Sequence, residues 1–183
     1  MTDIILSTFI CLILRKVYCV NKLNSNRFTG LYPYTKYVLG IDLSQKNIDR
    51  AMMTLLQHPD VKISFKHNNL SEIISNGNVH FDYAILTYVI HEVKKEERIT
   101  LLKQVASIAD KIIIGDYLVP RPGGFGTNLT EVIEFVAGRE HYKGYKSYVA
   151  DGGIYYLADK AGLRIIKEIS DNPLSNHIVI LAK

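Results

Sequence analysis

Three groups of side chains in this 183-residue sequence have types and spacings that could do chemistry. Asp42 closes the apolar run Val38–Ile41 and precedes Leu43, Ser44 and a helical stretch. A carboxylate there either accepts two hydrogen bonds from a ribose diol or caps the helix, a task for which Ser44 is also placed. His91 and Glu92 follow a second apolar run, Phe81–Thr87. That imidazole either moves a proton near neutral pH or packs at a strand-to-helix turn with Glu92 as a solvated first-turn acid. His141, Tyr142, Tyr145 and Tyr148 recur at a spacing that fits one helical face, as the aromatic and basic wall of a pocket or as a surface patch.

Groups such as these work only if regular elements hold them, and the sequence from Lys36 onward is patterned for that. Short β-branched runs alternate with longer amphipathic stretches, which predicts crossover units and a mainly parallel sheet in an α/β fold. The strand candidates are Tyr37–Asp42, Val61–Phe65, Phe81–Thr87, Lys111–Asp116, Leu163–Ile166 and His177–Leu181. Helices are expected over Ser44–Gln57, Glu96–Ile108, Thr130–Val136 and Ile154–Ala161, the last stopped by Gly162. Polar groups at the carboxyl ends of parallel strands face the crevice where ligands bind, which is what draws attention to Asp42. Gly123–Gly126 follows the fifth of these strands and Pro122, and reads as a turn or lid hinge. No repeat, low-complexity run or linker interrupts the sequence, so one domain is expected over residues 1–183.

Composition narrows the function classes. Lys and Arg number 22 against 18 Asp and Glu, a formal charge of +4, too small a basic excess to point to nucleic acid. The two cysteines, Cys11 and Cys19, make no disulfide scaffold, and a reducing, cytoplasmic setting is expected. Ile4–Leu14 is apolar but stops at Arg15 and Lys16, short of the roughly 20 residues of a membrane span, and is expected to be buried or interfacial. A helix packed outside the sheet suits it, with Lys16–Val20 as a first strand. The same apolar N-terminus offers a surface for a homodimer. No metal-ligand spacing, G-x-S-x-G elbow or phosphate-binding G-x-x-x-x-G-K occurs, so no metal site, serine hydrolase or P-loop enzyme is expected.

Four segments in order, YVLGIDLSQKNIDRA, FDYAILTYVIHEV, ADKIIIGDYLVPRP and EFVAGREHYKGYKSYVADGGIYYLADKAGL, resemble the class I S-adenosylmethionine-dependent methyltransferases, in their small-molecule branch. The resemblance runs from Tyr37 to the C-terminus. It implies a Rossmann-like three-layer sandwich around a seven-stranded, mainly parallel sheet with the last strand antiparallel. It also implies methyl transfer from S-adenosylmethionine to an O, N or C nucleophile of a small-molecule acceptor. Asp42 then matches the residue that holds the cofactor ribose, Leu43 an apolar contact to adenine, and Asn68 or Asn69 the adenine amino contact, where the family has Asp. Thr87 and Tyr88 match positions lining the methionine end. His91 and Glu92 are the expected catalytic pair, and residues 120–153, with His141, Tyr142 and Tyr145, the substrate-side insertion.

The family's glycine-rich loop is missing. Val20–Phe28, where it should stand, holds no glycine and no carboxylate; Asn21, Asn24 and Asn26 are the nearest conformational substitutes. Residues 1–26 are therefore expected to be atypical, through divergence or a reading-frame error. A non-catalytic remnant that binds cofactor weakly or not at all is the competing expectation, ahead of a nicotinamide-dependent oxidoreductase, which needs the same loop.

Overall fold

The computed structural model describes residues 9–14, 37–56, 63–77, 80–123, 125–170 and 176–183. The proposed first strand Lys16–Val20 and the asparagine-rich stretch at 20–28 lie outside them. Strand β1 is Phe9–Leu14 and β2 is Tyr37–Asp42, followed by α1, Gln45–Leu55. Then come β3 (Ile63–His67), α2 (Leu70–Ser75) and β4 (Phe81–Thr87). A 3-10 turn over Lys95–Glu97 leads into α3 (Arg98–Ile108) and β5 (Ala109–Tyr117). Helices α4 (Phe125–Ala137), α5 (Arg139–Ala150) and α6 (Gly153–Ala161) precede β6 (Arg164–Ser170) and β7 (Asn176–Ala182).

Among the described residues seven strands hydrogen-bond in the order β3-β2-β1-β4-β5-β7-β6. The pairs β2–β3 and β4–β5 are parallel, and β7 is antiparallel to both β5 and β6. The expectation of a single reversed strand is corrected by β1, which is antiparallel to β2 and to β4. It is also corrected as to element, because Phe9–Leu14 is a strand in the middle of the sheet and not an external helix. FICLIL is apolar at every position, which suits a strand covered on both faces as well as it suits a buried helix; periodicity cannot separate the two.

Helices cover both faces. Val38 and Ile63 pack with Leu55 of α1 on one face, whereas Leu39, Ala84, Leu86, Ile112 and Ile114 join Ile73 of α2, Leu102 and Val105 of α3 and Leu157 of α6 on the other. Local chemistry sets the helix ends. The Ser44 hydroxyl accepts the Asn47 N–H at 3.4 Å to start α1, and Asn69 accepts the Glu72 N–H while donating to its carboxylate, both at 2.8 Å, to start α2. Gly162, at φ +73°, ends α6 as expected, its N–H returning to Asp159 at 3.0 Å. Gly126 lies inside α4, so the glycine-rich stretch is not wholly a turn. Among the described residues no helix is long and apolar enough to cross a membrane, and no group of three or more His, Cys, Asp or Glu could hold a metal.

Candidate active site

The carboxyl ends of β2 and β4 bring the predicted residues to one edge of the sheet, and the turn after β4 carries His91 inward. His91 is fully buried. Its Nδ1 lies 2.7 Å from Oδ1 of Asp116, near the end of β5, and its backbone N–H donates to the other carboxylate oxygen at 3.3 Å. Asp116 Oδ1 also accepts the Tyr117 N–H at 2.8 Å, so the carboxylate is fixed from the strand itself. A carboxylate on Nδ1 holds that nitrogen protonated and leaves Nε2 to exchange a proton. Burial works against a charged His91, but Asp116 foremost, then Glu134 and Glu92, outweigh it and raise the imidazole above its ordinary value.

Aromatic rings enclose this pair. Tyr117, Tyr88 and Tyr148 stand 4.9, 6.2 and 6.4 Å from the His91 ring, and Tyr145 packs edge-on against Tyr117 at 5.0 Å. Tyr88 holds a left-handed backbone, φ +54°, directly after β4, with its N–H bonded to Gly115 at 2.8 Å. A tyrosine adopts that conformation only under tertiary constraint, and such residues gather at functional sites. Beneath the turn, the buried Arg98 donates to the carbonyls of Val93, His91 and Gly144 and to the Ser147 hydroxyl, at 2.9 to 3.0 Å. It ties the His91 turn to α5.

Glu134 of α4 closes the remaining side. It is fully buried, accepts the Tyr117 hydroxyl at 2.5 Å and stands 3.7 Å from His91 Nε2, too far for a hydrogen bond. Burial first, and then Glu134, push the Tyr117 hydroxyl well above its usual range, so it stays a donor. On the outer side of α4, Glu131 accepts from Arg121 at 2.7 Å, Tyr142 at 2.8 Å and Lys146 at 3.1 Å, which hold it down at about 2. Glu131, Val132, Phe135 and Tyr142 line an open depression of about 340 Å³.

The arrangement of elements is similar to that of solved methyltransferases. The mitomycin 7-O-methyltransferase MmcR has a TM-score of 0.55 at 14% identity, over 78% of this chain and 40% of that one. An O-methyltransferase family protein from Burkholderia thailandensis has a TM-score of 0.56 at 16% identity, over 76% and 41%. The O-methyltransferase NcsB1 of neocarzinostatin biosynthesis, solved with S-adenosylmethionine and 2-hydroxy-5-methyl naphthoic acid, has a TM-score of 0.53 at 15% identity, over 78% and 40%. The chain shares the α/β fold of these structures. The chain spans about two fifths of the length of these structures. No family model and no curated protein matches the sequence.

Within that fold the predicted residues divide. Asp42 is buried at its strand end, where its two carboxylate oxygens accept the Ser44 N–H at 2.6 Å and the Asn47 side-chain amide at 3.1 Å. Burial pushes its carboxyl up, against the pull of those two donors and of His67. Leu43 beside it is 75% exposed, and Asn68 follows β3 with its N–H on the Asp42 carbonyl at 3.3 Å. Asn69 is committed to capping α2. Thr87 ends β4, and Tyr88 directly after it is one of the rings around His91.

Of the expected catalytic residues, His91 is hydrogen-bonded to Asp116 and not to Glu92. Glu92 turns toward His141 Nδ1, 3.4 Å away, because adjacent residues in a turn point apart. The expected single aromatic face of α5 is also divided: Tyr145 and Tyr148 point into the His91 cage, Tyr142 meets α4, and His141 meets Glu92. Sequence reasoning missed Asp116, Tyr117, Arg98 and Glu134. The first two were findable, since they end a strand whose carboxyl edge faces the crevice; Glu134 lies between Ile133 and Phe135 with no spacing that marks it.

Proposed function

We propose that this chain transfers a methyl group from S-adenosylmethionine to an oxygen of a small aromatic acceptor. The observation that carries this reading is the buried His91–Asp116 pair, 2.7 Å apart, at the carboxyl edge of an O-methyltransferase fold. The aromatic rings around it favour a planar acceptor, and NcsB1, solved with a hydroxylated naphthoic acid, has that kind of ligand on the same fold. The cofactor supplies a methyl group on a sulfonium, already activated for displacement. His91 Nε2 would take the proton from the acceptor oxygen and Asp116 would stabilise the imidazolium that results, leaving an oxygen able to accept that methyl group with the thioether as leaving group.

At the cofactor's ribose end the residues fit. Asp42 uses one acceptor position on each oxygen within its own turn, and a carboxylate offers about four, so ribose hydroxyls can still be held. Exposed Leu43 suits an adenine face, and Asn68 is better placed than Asn69 for its edge. Helices α4 and α5, within residues 120–153, form the acceptor-side wall.

The test is calorimetric titration with S-adenosylhomocysteine, which needs no acceptor. Binding in the micromolar range is expected, weakened about tenfold to a hundredfold in Asp42→Asn, the scale of a hydrogen bond to a charged group. A second reading, a fold that binds cofactor weakly and turns nothing over, is favoured by the reversed β1. Leu14, the last described residue before Tyr37, lies opposite it, at the end of β2 away from Asp42. No heat from folded protein would establish that second reading against the first.

A further inference from the structure

Glu134 is a carboxylate with no part in the proposed chemistry, at the place where the chemistry needs an oxygen. Its Oε1 receives the Tyr117 hydroxyl and faces His91 Nε2 at 3.7 Å. Its Oε2 and His91 Nε2 are both buried and hydrogen-bond to no described residue. A fully buried carboxylate with one hydrogen bond is expensive, and leucine or methionine would fill the same space more stably. What the cage around it offers is a hydroxyl donor and an imidazole, converging on one oxygen and walled by tyrosine rings. That is a site for an acidic oxygen. An alkyl alcohol would leave the donors poorly used, and an ammonium would be turned away by them.

Helix α4 presents this group from one side and solvent-facing residues from the other. On its outer side Glu131 is clasped by Arg121, Tyr142 and Lys146, while Val132, Phe135 and Val136 are exposed. Its Glu134 reaches Tyr117 and His91 of the cage. With His91 fully buried, no acceptor reaches Nε2 until that side chain leaves.

We propose that Glu134 is a built-in stand-in for the acceptor: its carboxylate oxygen holds the position that an acidic oxygen on an aromatic ring takes between Tyr117 and His91, and α4 withdraws it to admit that acceptor. This rests on the His91–Asp116 pair as the acceptor site and deepens that reading by naming the acceptor class and the element that gates it: a phenol gives its proton to His91, whereas a carboxylate, already ionised, is held by the imidazolium. The two ring-borne sources of such an oxygen are a phenol and an aromatic carboxylic acid. Neutral alkyl alcohols and amines are excluded.

Benzoate, phenol, cyclohexanol and benzylamine, titrated into the full-length chain and followed by the NMR resonances of the His91 ring, test it. In the unaltered protein benzoate or phenol should bind weakly. In Glu134→Ala the tighter of the two should gain at least tenfold, and adding Tyr117→Phe should remove that gain; which of the two gains tells phenol from carboxylic acid. Glu134→Gln keeps the shape without the charge and should show a smaller gain in the same direction, which covers a Glu134→Ala chain that does not fold. No gain for either probe in a folded Glu134 variant, or an equal gain for cyclohexanol or benzylamine, overturns the proposal. The titrations need no cofactor. A gain for benzoate or phenol with no S-adenosylhomocysteine binding would refute methyl transfer and leave the stand-in; S-adenosylhomocysteine binding with no gain would refute the stand-in alone.

Discussion

What His91 can do is decided by Asp116. The buried carboxylate on Nδ1 raises the imidazole, against the opposing effect of burial, so the base becomes neutral only at higher pH than a free histidine. In kcat/KM against pH, once an acceptor is in hand, the acid limb should lie above pH 6.5, roughly the ordinary imidazole value. In Asp116→Asn burial wins and the limb should move to lower pH. Stability follows the same linkage. Because the folded value is the raised one, the stabilisation is complete below about pH 6.5 and is lost as pH rises through the folded value. Urea unfolding across that range should show it, with a smaller slope in Asp116→Asn.

Arg98 makes a second prediction at this scale. Its planar fork serves four acceptors on two elements, which a lysine ammonium cannot span, so Arg98→Lys should lower the unfolding free energy by about 3 kcal/mol, measured by urea denaturation. His91 was legible in the sequence because it follows a strand end. Its partner was not assigned, because pairing across 25 residues depends on strand order, which composition does not record.

Elements were more legible than contacts. β2 and β4 begin and end where their apolar runs do, and α1, α3 and α6 follow their periodicity. Helix α2 escaped notice because its six residues are too few to show a period, and its capping asparagine was read as a ligand group. Asn69→Ala should therefore cost about 1 kcal/mol of stability, read by thermal or urea unfolding, while leaving S-adenosylhomocysteine binding unchanged. Gly144 tests how α5 meets the His91 turn. A Cβ there would stand 2.6 Å from the His91 carbonyl oxygen, a backbone atom that cannot step aside. Gly144→Ala should lower the unfolding free energy by about 1 to 3 kcal/mol, and the His91 ring resonances should shift with it.

Across the whole molecule the least legible feature is the direction of β1. FICLIL suits a central strand whichever way it runs, and direction leaves no mark on composition. Its antiparallel register puts Cys11 opposite Gly40 on one side and Ile85 on the other. Short Hα–Hα contacts across antiparallel partners should therefore appear in NMR spectra between β1 and both neighbours. Parallel pairing would lack them.

That strand also has a mechanical meaning. β2 and β3 carry Asp42 and the residues around it; β4 and β5 carry His91 and Asp116. Among the described residues these two pairs of strands do not touch within the sheet, and the ladder that joins them runs through β1. Weakening six residues would leave each half with its own strand pair while loosening the distance between them, so Asp42 would keep its local partners in a molecule where its distance from His91 is no longer fixed.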